Sequence, residues 1–431
     1  MSGDSSSVDY AGRARDALGF SRWWQILAAA AMMAAVSPYQ YVWSSIEGPL
    51  AESLEISLPA LGAVFSFYVV FQSLSQFPAG WWRDRSGPRY LTFLAAILAG
   101  GGYLGLAYAT SIWQLYVLYS VGAVGVGIVY TVAVNTAVKW FPDRSGLTTG
   151  IGTMAFAAGS TLVVPYVRAN ATVGGYQDVL RNMGLGILIV LLLGTVVLRD
   201  PPSEWLAREN GAEEDDSDLA ASLRGRAYKT TEVLRTWQFW LLYAMFVAIA
   251  GADLLVIANV VRFAEAFGFA AVVATASATL LPLAAGVSRL VLGEVSDRYP
   301  RKYVMAGSFL LAGVFRFGLI AAGETDAEIA FVGLVMAAMF FSSPLYVYFP
   351  AMLADYYGAE FSSSNYAVLY TAKVGGGVIA GTVAGFLVAG FGWVSTFALG
   401  GGLAVAAGLA ALVLRPPAGS GMGDADPDAA G

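Results

Sequence analysis

Apolar residues run along this chain in blocks longer than the core of a soluble domain can use. Segments of about twenty residues or more, nearly free of charge, fall at 23–46, 60–82, 91–109, 113–139, 146–168, 178–198, 236–261, 270–294, 303–322, 328–354, 363–389 and 392–414. Each is long enough to cross a roughly 30 Å hydrocarbon layer as a helix. The pattern predicts an all-α polytopic membrane protein with twelve transmembrane helices. The longest polar interruption carries the acidic stretch GAEEDDSDLAAS at 211–222. It divides the chain into a tail (1–22), a six-helix bundle (23–198), a linker (199–235), a second six-helix bundle (236–414) and a second tail (415–431).

Basic residues fall unevenly on the two sides of this pattern. Arg13, Arg15, Arg22, Arg83, Arg85, Arg89, Lys139, Arg144, Arg298, Arg301, Lys302 and Arg415 share one side with the linker, against Arg168, Arg181 and Arg262 on the other. The positive-inside rule therefore puts both termini and the linker in the cytoplasm, with the protein in the cell (plasma) membrane. The first twenty residues lack a signal-peptide layout and are expected to be a cytoplasmic tail.

The halves repeat. Gly80, Asp84, Arg85 and Arg89 follow the second span, and Gly293, Asp297 and Arg298 recur after the eighth, 213 residues later. A glycine one turn from a helix end allows close helix approach, and an Asp-Arg pair can bond to neighbouring helix ends. These residues are the expected cytoplasmic gate. The doubled motif resembles the signature loop of the major facilitator superfamily, which implies two six-helix bundles around a central cavity. Pro88 and Pro300 depart from that pattern.

Composition narrows the chemistry. The 431 residues are 57% hydrophobic and 13% charged, with no cysteine and no histidine. Thiol chemistry and disulfides are excluded, and proton coupling would fall to Asp, Glu or Tyr. Nothing calls for a cofactor or a metal, and no catalytic cluster lies in the spans, so an enzyme is not expected. The net charge of −6 argues against nucleic acid as a partner. Glycines such as Gly122, Gly125, Gly127, Gly375, Gly376, Gly377, Gly381 and Gly385 fit close helix packing rather than a phosphate loop, which would need a preceding strand.

Four ionisable residues lie well inside spans: Asp253, Arg289, Arg316 and Lys373. Lys373 stands about 16 Å of helix rise from the polar Ser362 end, and Arg289 about 12 Å from Asp297, so two cations lie at nearly the same depth. Facing one cavity they would repel unless an anion came between them. Snorkelling, or neutralising a buried acid, is the structural alternative for Lys373. Arg316 is expected to snorkel. Asp253 precedes Gly293 by forty residues, as Gln40 precedes Gly80. It is a candidate proton site, or a charge balance for Arg289 or Lys373.

The segments PYQYVW (38–43), GVGIVYTVAVNTAVKWFPDRSGL (125–147), LRTWQFW (234–240), SNYAVLYTAKV (364–374) and FGW (391–393) resemble those of the oxalate/formate antiporter family. The resemblance implies that Arg289 and Lys373 clamp the carboxylates of a small substrate, with Gln40, Tyr41, Tyr130 and Tyr346 around it. Phe156 stands where the family has tyrosine, Ser342 and Tyr370 where it has tryptophan, and Asp253 where it is small and apolar. The expected function is secondary active transport of small organic anions, as a carboxylate exchanger working by alternating access, functional as a monomer. Proton-coupled monocarboxylate symport through Asp253, and a non-transporting anion sensor, are the alternatives.

Overall fold

The computed structural model describes residues 10–141, 144–202, 228–358 and 361–417. The tail residues 1–9 and 418–431, linker residues 203–227 and the side chain of Asp84 lie outside the described residues. All regular elements within them are helical. The spans are α1 (Trp23–Tyr41 with Trp43–Leu54), α2 (Leu58–Arg83), α3 (Pro88–Leu106), α4 (Ile112–Ala137), α5 (Leu147–Asn170) and α6 (Tyr176–Val197), then α7 (Trp237–Ala266), α8 (Ala271–Arg298), α9 (Arg301–Glu324) and α10 (Glu328–Tyr357). A last run, Ser364–Val413, has 50 residues. At 1.5 Å per residue it would be about 75 Å long, twice what a bilayer needs. Gly392 turns it with φ 79° and ψ 174°, a conformation open to glycine. It therefore supplies α11 before the turn and α12 after it, completing twelve crossings.

The spans start where the chain disfavours any other course. Pro59 and Pro88 sit in the first turns of α2 and α3, where a missing N–H costs nothing. Thr236 caps α7 by accepting a hydrogen bond from the Phe239 amide at 3.4 Å. Several spans are broken inside. Ser37 and Pro38 interrupt the first part of α1, and Val42 parts it from Trp43–Leu54, the two meeting at 47°. A 3-10 stretch, Gly159–Leu162, interrupts α5. Ser343 and Pro344 part Glu328–Ser342 from Leu345–Tyr357 in α10, and Thr371 parts Ser362–Tyr370 from Ala372–Val378 in α11. Proline explains two of these. Irregular backbone at membrane depth is tolerated where protein surrounds it.

The two bundles meet along α2 against α11, α5 against α8, and the end of α1 against α7. The α2–α11 contact is backbone on backbone: a Cβ added at Gly381 would stand 2.2 Å from the Gly62 carbonyl oxygen. Ser66 on α2 donates to the Gly377 carbonyl at 3.0 Å and accepts from the Thr382 amide at 2.8 Å. Glycines of the predicted packing set thus let the bundles approach, and Gly127 does the same within the first bundle against Ser75 and Gln72. At the motif glycines the packing is looser than expected. A Cβ at Gly80 or Gly293 would meet Thr131 or Val347 at ordinary contact distances, 3.7 and 3.4 Å.

Candidate functional site

Lys373 is at the break in α11 and is 2% exposed. Its ammonium donates to Gln40 Oε1 at 3.2 Å, Gln72 Oε1 at 2.9 Å and Tyr370 Oη at 3.5 Å. The bend in α1 presents Gln40, and α2 brings Gln72, so both amides reach across from the other bundle. Arg289 on α8 is 3% exposed. It donates to the Thr153 carbonyl of α5 at 2.8 Å and to Ser343 Oγ at 3.4 Å. Neither cation forms an ion pair with a carboxylate among the described residues.

Both cations address one ring. The Arg289 guanidinium lies 4.9 Å from the centroid of Tyr346 and the Lys373 ammonium 5.6 Å from it. Their charges are thus at most about 10.5 Å apart and repel by at least roughly 1.6 kcal/mol at an effective dielectric constant of 20. Tyr370 and Phe246 continue the wall, at 6.2 and 6.0 Å from Tyr346. Opposite them, Phe156 stands edge-on to Tyr41 at 6.2 Å and to Tyr130 at 5.5 Å. Several buried polar atoms in this region have no hydrogen-bond partner among the described residues: Tyr41 Oη, Tyr346 Oη, Gln72 Nε2 and Arg289 Nε. Buried polar atoms are seldom left so, and such a cluster, together with two unpaired cations, suits a polar anion. Gln40, Tyr41, Tyr130, Phe156, Arg289, Tyr346, Tyr370 and Lys373 are therefore gathered by the fold into one region.

Asp253 takes a different partner from the two expected. Its carboxylate is fully buried on α7, accepts from Ser342 Oγ at 2.5 Å and lies 3.8 Å from Arg316 Nη2. Arg316 is 1% exposed, so it does not snorkel. The break in α10 and the carboxylate draw it inward.

The chain carries the mark of its architecture twice in comparison with known proteins: the model of the Major Facilitator Superfamily matches residues 25–277 and again 241–428. The chain belongs to the major facilitator superfamily. It falls with the superfamily's oxalate/formate antiporters, for it is 30% identical over 379 residues to the "Oxalate:formate antiporter" of Oxalobacter formigenes, covering 88% of this chain and 87% of that one. It is also 24% identical over 382 residues to the "Membrane sensor protein UhpC" of Salmonella typhimurium, covering 83% of this chain and 82% of the relative. Among solved structures, the "D-xylose-proton symporter" superposes with a TM-score of 0.73 at 16% identity, covering 93% of this chain and 99% of that one. This is a multi-pass membrane transporter, not an enzyme.

Three features of the transporter escaped the sequence. Gln72, a direct partner of Lys373, was legible only as one of several polar residues in the stretch VVFQSLSQF. Thr153 and Ser343, which hold Arg289, carried no signal, because small hydroxyl residues are common in membrane helices. The motif loops also bond differently from expectation. Arg85 and Arg298 are exposed, bonding locally to Trp81 and Glu294, and Arg89 is exposed as well. The ties between helix ends come from their neighbours: Arg83 is buried and pairs with Asp200 at 2.7 Å, while Arg301 pairs with Asp355 and with Asp297, the latter at 2.8 Å. A side chain pointing inward at a helix end can reach a neighbouring helix, and one pointing outward cannot. Arg83 thus ties α2 to the chain just past α6, and Arg301 ties α9 to α8 and α10. Across the bundles, at the end away from the basic loops, Glu47 of α1 pairs with Arg262 of α7 and Arg168 of α5 with Glu265 of α7, each at 3.4 Å.

Proposed function

We propose that this transporter carries small organic carboxylates, as an exchanger working by alternating access. The observation that carries the proposal is the pair of buried, carboxylate-free cations, Arg289 and Lys373, facing one tyrosine ring. Arginine offers a planar fork that matches a carboxylate, and lysine a movable point charge that follows the other end of the substrate. Gln40, Tyr41, Tyr130, Tyr346 and Tyr370 orient the anion, and Phe156 packs against two of them. The relative named for oxalate and formate supports the same substrate class.

Exchange follows from electrostatics. Two like charges held in a dry closed site are costly unless an anion lies between them, so the unloaded protein resists closing and the loaded protein closes readily. The bundles 23–198 and 236–414 would rock about this site, joined by the linker 199–235, in a monomer in the cell membrane with both termini cytoplasmic. The test is uptake of labelled oxalate, formate, acetate, lactate and malonate into vesicles holding purified protein, with and without unlabelled anion inside. Uptake that needs internal anion supports exchange, and indifference to all five carboxylates ends the proposal.

A second reading rests on the buried carboxylate of Asp253, as the proton site of a monocarboxylate symporter. It requires that an imposed pH gradient drive uptake with no anion inside and that Asp253→Asn abolish that drive. The sensor alternative, suggested by the relative named as one, predicts binding without accumulation of tracer.

A further inference from the structure

The proposed substrate clamp uses two of the four charged side chains that lie well inside the spans and leaves Asp253 and Arg316. These two occupy different helices, α7 and α9, and a third, α10, links them. Arg316 Nη2 donates to Ser342 Oγ at 3.1 Å, and the same hydroxyl donates to Asp253 Oδ1 at 2.5 Å, closing a pair whose charged atoms are 3.8 Å apart. Arg316 is held further by donating to the Ala312 carbonyl at 3.0 Å. Ser342 is followed directly by Ser343, whose hydroxyl accepts from Arg289 Nη2 at 3.4 Å, so neighbouring residues at the break in α10 hold the pair and one cation of the clamp.

Counting charge around this break gives Arg316 a role. With Asp253 ionised and nothing to balance it, the clamp's two positive charges would fall to a net of one, which suits a monoanion. Arg316 cancels Asp253 through Ser342 and leaves Arg289 and Lys373 at full strength. We propose that Arg316 is a charge-compensating specificity residue, which by pairing with Asp253 sets the clamp at a net charge of two and so favours dicarboxylate dianions over monocarboxylates. Ser342 is the positioning residue of the pair, small enough to sit between the two charges and able to accept from one while donating to the other. The inference rests on the carboxylate assignment above and makes it narrower.

A purely structural ion pair and a charge-setting one differ in what their loss does to selectivity. The experiment measures uptake of labelled malonate and labelled acetate into vesicles containing the full chain, and compares their ratio across variants. Arg316→Gln exposes the uncompensated carboxylate to the clamp and should lower the malonate-to-acetate ratio at least tenfold. Asp253→Asn removes the opposing charge, leaves Arg316 uncancelled and should raise that ratio. The double variant Asp253→Asn with Arg316→Gln restores the net charge and should bring the ratio back to within about threefold of wild type. Equal loss of both anions in Arg316→Gln, or a ratio that the double variant fails to restore, overturns the proposal. If Arg316→Gln does not fold, Asp253→Asn still decides it, because a ratio that does not rise in that variant refutes it. A wild-type protein that carries neither anion refutes the carboxylate assignment itself, whereas one that carries both with a ratio unmoved by these substitutions refutes only the role of Arg316.

Discussion

Two pairs of ionisable groups lie buried in the middle of this membrane protein, and they obey opposite rules. Asp253 and Arg316 are opposite in sign, share Ser342 and balance each other. Arg289 and Lys373 are alike in sign, converge on Tyr346 and are held by carbonyl, amide and hydroxyl groups that soften their charge without cancelling it. The first arrangement is what a fold does with charges it must keep. The second makes sense when a further charge is to arrive. Buried charges that stay unpaired destabilise the resting protein and are retained where they serve binding.

The contrast can be broken by removing one member of each pair. Lys373→Gln should reduce carboxylate uptake by two orders of magnitude or more while leaving the protein as stable or more so, because it removes an uncompensated buried charge at a functional site. Uptake in vesicles and thermal unfolding in detergent read the two effects separately, and retained uptake sinks the clamp. Arg316→Gln should do the reverse in stability, costing about 3–5 kcal/mol by stranding a buried carboxylate. The added change Asp253→Asn should recover most of that loss in the same unfolding assay, and its failure to do so would mean that the pair is not coupled.

Smaller effects sharpen the comparison. Gly381→Val forces side-chain atoms into the Gly62 carbonyl across the bundle seam and should cost about 1–3 kcal/mol through overpacking. It should also slow transport, since the bundles must move along that contact, and normal uptake with normal stability would argue against a tight seam. Arg85→Gln, at an exposed motif position, should change stability by no more than about 0.5 kcal/mol. Arg83→Gln, which breaks a buried pair with Asp200, should be the more harmful of the two by unfolding measurements. The opposite ranking would restore the gate role first expected of Arg85.

Much of the fold was legible in the sequence because a bilayer imposes a length and a polarity that few chains meet by chance. Twelve apolar blocks, a polar linker and a motif repeated after 213 residues left little freedom in architecture. Lys373 and Arg289 could be picked out for the same reason, since a charge inside a span stands against its background. Their similar depth followed from helix rise alone. What depth could not supply was azimuth, the direction in which each side chain leaves its helix. Arg316 was expected to reach for the surface because its position along the span allowed it. Only the packing of α9 against α10 turned it toward Asp253. Likewise Arg85 and Arg298 lie in the motif, yet Arg83 and Arg301 face inward and carry the interhelical ties.

Gln72 shows the same limit from the other side: its polarity was visible, but its partner stood 301 residues away on another bundle. The sequence by itself determined that this protein crosses a membrane twelve times in two related halves and keeps charges where lipid forbids them. Tertiary structure alone decided which charges cancel and which remain, because a one-dimensional pattern records how deep a side chain lies, while electrostatic pairing depends on what it faces across a gap of a few ångströms.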